Sequence, residues 1–172
     1  MERVVQVPDE FQCIPFFEGN TDKIIYSLDQ SFEDIIKSTY FLYDIEKQYK
    51  PWHEIDKSIP IVFNVWKSKK DTIATLFRNR KRKEARDPMI HFAAHLLSIL
   101  YWLNEQAIPS LKDVKKNIER LEIQPVNFME RYSYIMGQPN HYHSYIQLTE
   151  LYVEIEKLYA KKIIIKKKSP SR

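Results

Sequence analysis

Two histidines four residues apart, His91 and His95, stand in the most apolar stretch of the chain, "MIHFAAHLLSILYWL" at 89–103. On a helix that spacing places both rings on one face, where they can ligate a single metal ion, and His141 and His143 could complete the set. The neighbouring residues fit neither common helical metal motif. Phe92 occupies the position at which a zincin carries glutamate, and the Glu-x-x-His pairs of di-iron bundles are absent. Hydrogen bonding is the simpler use. At about 100° per residue, His91, His95, Ser98, Trp102, Glu105 and Gln106 share one side of a helix, and Phe92, Leu96, Leu97, Leu100 and Leu103 cover the rest. The expectation is a core helix with one polar seam and no metal or other cofactor; a metal-dependent helical-bundle enzyme using His91 and His95 is the second reading.

Charge offers a different chemistry. "FRNRKRKEAR" sets Arg78, Arg80, Lys81, Arg82, Lys83 and Arg86 within nine residues, shortly after Lys69 and Lys70. The C-terminal twelve residues hold six basic groups, Lys166, Lys167 and Lys168 among them, and no acid, although the net charge is only +4. Basic segments on an otherwise acidic body can neutralise the phosphates or carboxylates of an acidic protein or a nucleic acid. A structural explanation competes, because cations suit a helix C-terminus and a turn between helices must be soluble. The cluster has no interleaved aromatics for base stacking and no clear recognition helix. Ile163 to Ile165 between lysines also suit an anionic membrane surface.

Enzymatic signatures are missing. The chain has no phosphate-cradling glycine loop and no nucleophile elbow, and Cys13, the only cysteine, cannot form an internal disulfide. Carboxylates such as Glu54 and Asp56 are scattered, and no catalytic residue is assigned. The expected function is that of a non-enzymatic, cytoplasmic interaction protein that engages an acidic partner through its basic segments.

The elements that must carry these residues are helical. In 172 residues, 44% hydrophobic and 29% charged, only Gly19 and Gly137 are glycine, which leaves few hairpins. The expected fold is all-α: a single-domain antiparallel bundle of about five to six helices over 29–165, with an extended arm at 1–28 and a basic flexible tail at 166–172. The arm would lay Phe11, Phe16 and Phe17 on the body. Ser31 with Asp34 begins one helix, which runs to about Gln48; Ser58 with Pro60 begins the next, which is interrupted near "KSKKD". Asp87 with Pro88 begins the histidine helix, Ser110 with Asp113 and Asn127 with Glu130 begin two more, and the last runs from near Asn140 to about Ile165. A run of 15 apolar residues falls short of the roughly 20 that span a bilayer, and "MERVVQVPDE" lacks the apolar segment of a signal peptide.

"PVNFMERYSYI" (125–135) and "QPNHYHSYIQLTELYVEIEKLYAKK" from Gln138, with "KPW" at 50–52 and "FNVW" at 63–66, resemble the YpoC-like family of small proteins of Bacillus-type bacteria. The resemblance covers most of the chain after the arm. It implies a small cytoplasmic protein, mildly raises a nucleic-acid or envelope-associated role, and transfers no functional residue.

Overall fold

The computed structural model describes residues 1–18 and 23–168. Gly19 and the last four residues of the expected tail lie outside them. Two short strands, β1 (Glu2–Gln6) and β2 (Lys23–Ser27), precede seven helices: α1 (Phe32–Ser38), α2 (Leu42–Glu46), α3 (Ile55–Arg78), α4 (Arg82–Leu103), α5 (Val114–Glu119), α6 (Phe128–Gly137) and α7 (Tyr142–Lys168). Single 3-10 turns lie at Asp9–Phe11 and Pro51–His53.

The molecule is built around α4. Every residue from Met89 to Leu103 is buried except the half-buried His91, as the all-round apolar pattern requires. On one side lies α3, with Val62, Phe63, Trp66, Ile73 and Phe77 turned inward; on another lies α7, with Tyr145, Leu148, Tyr152 and Ile155. The Trp66 ring stacks on Tyr152 at 4.4 Å and meets Phe92 edge-on at 5.3 Å, joining all three helices. Phe63 meets Tyr159 while Phe77 meets Tyr142, so α3 and α7 are antiparallel. Phe92 O accepts from the Tyr152 hydroxyl at 2.5 Å and Leu103 O from Lys162 Nζ at 2.5 Å, so α4 and α7 run parallel. That arrangement needs a return crossing. α6 supplies it, with the Tyr132 hydroxyl on Ala93 O at 2.8 Å and Arg131 paired with Glu154.

Several expected boundaries move. α3 starts at Ile55 rather than Ser58, continues unbroken through "KSKKD", and holds Pro60 inside it. α4 starts at Arg82, five residues before Asp87, with Pro88 inside. A proline in the second turn removes a bond to the carbonyl four residues earlier. Those carbonyls belong to Asp56 and Glu84, both exposed, so water can satisfy them. Ser58 Oγ donates instead to Pro51 O at 2.8 Å. Ser31 does cap α1, accepting from Asp34 N at 3.1 Å, but the helix ends at Ser38. Phe41, at φ 64°, then turns the chain into α2. This left-handed geometry is costly for a bulky residue. Its offset is packing, since the buried Phe41 ring meets Phe11, Phe16, Phe17 and Tyr40 at 5.0–6.3 Å.

The arm is therefore structured. β1 and β2 pair antiparallel with Val5 opposite Ile24, both buried, and Val4 opposite Ile25, both exposed. Ser110 does not cap a helix; its Oγ donates to Glu10 O at 3.2 Å and accepts from Lys112 N at 3.0 Å. Leu111 N also donates to Glu10 O, at 2.7 Å. Committed to that tether, the segment enters α5 only at Val114, with Asp113 in left-handed geometry. α7 stays helical to Lys168, so the first three residues of the expected tail are helical and the last four lie outside the described residues. Among the described residues no helix is long and apolar enough to cross a membrane.

Candidate functional site

The basic run forms the turn between α3 and α4. Arg78 ends α3, where the macrodipole favours a cation. Arg82 and Lys83 instead open α4, where it disfavours one. The explanation of the cluster as helix-C-terminal charge therefore covers Arg78 alone. No side chain caps α4, and its first amide to bond back is Ala85 N, on Lys81 O at 3.1 Å. Arg80 turns the chain at φ 58°. Arg78, Arg80, Lys81, Arg82, Lys83 and Arg86 are all exposed. Among the described residues only Arg86 of these forms an ion pair, at 3.9 Å to the solvent-exposed Asp87. Free donors at a helix N-terminus and unpaired cations together favour an anion.

Several cations elsewhere are engaged. Lys67 bridges α3 to Glu156 of α7 at 2.5 Å, and Arg131 holds Glu154 and Glu150. Lys162 and Lys166 reach Glu105 at 3.4 and 2.7 Å, and Lys162 also donates to Leu103 O, so they neutralise the C-terminal end of α4. Lys166, Lys167 and Lys168 thus lie at the far end of α7, which at 27 residues is about 40 Å long. The two basic segments do not form one surface. Lys69 and Lys70 lie between, on α3: Lys70 is half-buried and its carbonyl accepts from the Tyr145 hydroxyl at 3.1 Å. Lys69 lines a cleft of about 320 Å³ with Lys37, Thr72, Asp87 and His91, over an apolar floor that includes Phe92.

Topology adds groups that the sequence did not connect with the basic turn. Since α7 runs antiparallel to α3, its first residue, Tyr142, lies against Phe77 and lines a pocket with Arg78. His141 and His143 flank it, exposed, with His143 edge-on to Tyr134 at 5.3 Å. Nothing local in "HYHSY" announces this, because the neighbour is more than sixty residues away.

The histidine seam faces α1 and α2. His91 Nε2 and His95 Nε2 stand 2.9 and 2.7 Å from Ile36 O and 3.2 Å from each other. Ile36 O is one of the carbonyls left unpaired at the end of α1, and the rings cap it from another helix. Burial lowers the pKa of both histidines, that of His95 to about 3, with the neighbouring His91 adding to the effect on His95. Further along the seam, Ser98 Oγ and Trp102 Nε1 donate to the carboxylate of Asp44 at 3.0 Å each, and Ile108 N donates to it at 3.0 Å. Asp44 is fully buried; burial pushes its pKa up to about 6 against the opposing pull of those three donors. The seam is a structural clasp, and Asp44 is its unforeseen member. Among the described residues no three His, Cys, Asp or Glu side chains gather as a metal-binding group, and His141 and His143 do not join His91 and His95.

The profile of the family described as YpoC-like protein matches residues 56–167. "Uncharacterized protein YpoC" of Bacillus subtilis (strain 168) is 29% identical over 147 residues, 81% of this chain and 90% of that protein. No solved structure matches. The matched segment carries α3, α4, α6 and nearly all of α7, the helices that make the core and both basic ends, and the chain belongs to the YpoC-like family.

Proposed function

We propose that the protein is a non-enzymatic interaction protein that binds an acidic partner, protein or nucleic acid, at the α3–α4 end of its bundle. One observation carries this reading: among the described residues the cations of that turn are exposed and form no ion pair, and two of them stand on the disfavoured end of a helix dipole, whereas Lys67, Arg131, Lys162 and Lys166 are tied to carboxylates. The partner supplies the missing counter-charge. Lys166, Lys167 and Lys168 belong to the opposite end and are not part of this surface.

The test is a titration of the purified protein against heparin, a polyanion without sequence, over a range of salt. Log affinity should fall linearly with log salt for the native chain. The variant R80Q/K81Q/R82Q/K83Q should lose most of that slope and keep its helical circular dichroism. Salt-independent binding, or a variant that binds as the native chain does, would sink the proposal.

A further inference from the structure

At the end of the bundle that carries the basic turn, an aromatic ring is held ready beside the cations. Tyr142 and Arg78, with Phe77 and Ala74, line a pocket of about 260 Å³. The Tyr142 ring is fixed from within: it meets Phe77 at 5.9 Å with an interplanar angle of 68° and lies nearly parallel to Tyr145 at 5.9 Å and 24°. Tyr145 is itself tied to α3 through Lys70 O. Phe77 is buried, yet Tyr142 remains 53% exposed. A ring this well supported, and this open, offers water an apolar face beside an arginine. An acidic peptide has little use for such a face; an unpaired nucleobase does, because every base has a π surface that stacks on tyrosine or on guanidinium.

We propose, resting on the reading of the α3–α4 end as a polyanion surface, that the ligand class is single-stranded nucleic acid. The phosphates lie along Arg78, Arg80, Lys81, Arg82 and Lys83, and one base stacks on Tyr142 beside Arg78. A duplex cannot use this arrangement, since its bases present no free face. Contacts to phosphates and to the face of one base are indifferent to sequence, so discrimination falls between base-bearing single strands and other polyanions.

Fluorescence anisotropy on the full chain separates the two proposals with three probes: a short single-stranded oligonucleotide in deoxy or ribo form, an abasic phosphodiester chain of equal length, and poly-glutamate. The base-bearing strand should bind more tightly than the other two. Tyr142→Ala should weaken that strand by about 5- to 100-fold, the range of one lost stacking contact, and leave abasic binding unchanged. Tyr142→Phe should bind as the native chain does, which also guards against a folding defect. Equal affinity for the base-bearing and abasic chains, equal or better binding of poly-glutamate, or an unaffected Tyr142→Ala would overturn the single-strand proposal while leaving the polyanion surface standing. Failure to bind any of the three would overturn both.

Discussion

Asp44 is a fully buried carboxylate that receives three hydrogen bonds and, among the described residues, no ion pair. Trp102 Nε1–H and Ile108 N–H can only donate, and both address the same oxygen, whereas the Ser98 hydroxyl on the other oxygen can rotate to accept. Asp44→Asn therefore fits the site with little cost, its amide N–H turned to Ser98. Asp44→Ala strands two fixed donors in the core and should cost about 3–5 kcal/mol; denaturant midpoints of the two variants at neutral pH check the contrast. Acid acts on this residue and on the histidines in opposite senses. Asp44, raised to about 6, holds its proton more tightly when folded, so its contribution is greatest below its ordinary value and is lost as pH rises through about 6. His95, lowered to about 3, contributes stability present above its ordinary value near 6.5, and loses it as pH falls toward 3. The histidine interval is the wider, about 5 kcal/mol against about 3, and His91 shifts in the same direction. The native chain should accordingly lose stability between pH 6.5 and 3, most of it below pH 4, where the Asp44 gain has ended. In H91Q/H95Q, which can keep donors on Ile36 O without titrating, unfolding midpoints over the same range should stay level or rise; a drop equal to that of the native chain would refute the assignment.

Elements in this protein are joined by side chains that bond backbone at a distance, and Asn104, just past the end of α4, shows the logic. Its Nδ2 donates to Leu100 O at 2.9 Å and Ile123 O at 2.8 Å, and its Oδ1 accepts from Ile123 N at 2.9 Å, so one amide pins the stretch between α5 and α6 to the end of α4. Asn104→Asp turns an oxygen toward two carbonyls and should cost about 2–3 kcal/mol, more than the roughly 1–2 kcal/mol of Asn104→Ala; urea unfolding measures both. Such ties explain what could be read in advance. The angular clustering of His91, His95, Ser98 and Trp102 identified the seam of α4 correctly, because helical periodicity is a local property. Asp44 was invisible, since it becomes a partner only when α2 folds against that seam. Pro60 and Pro88 suit helix starts in sequence, but the carbonyls they orphan fall on exposed residues and let both helices begin earlier. Ser110 had the pattern of a cap, but the carbonyl of Glu10, one hundred residues away, competed for its hydroxyl and won.

Over the whole molecule, the bundle separates two sets of positive charge that look alike in sequence. Toward the end of α7, Lys162 and Lys166 hold the helix to Glu105 at the end of α4, whereas Lys167 and Lys168, like the cations of the α3–α4 turn, face water without a partner among the described residues. Because those two lysines stand apart from the five exposed cations of the turn, substituting Lys167 and Lys168 by Gln in the heparin titration should leave affinity within about twofold of native, where the four changes at the turn remove most of it. The cations concentrated at the turn also attract an approaching polyanion before contact, so the turn variants should slow association more than they speed dissociation. The tether between Glu10 and the 110–111 segment has a consequence for how the chain is made. Synthesis delivers the N-terminal arm first, yet its anchor is not translated until a hundred residues later. Until then the Glu10 carbonyl lacks both of its donors, even though Phe11 can already meet Phe41. The arm is thus translated well before the segment that completes its tether.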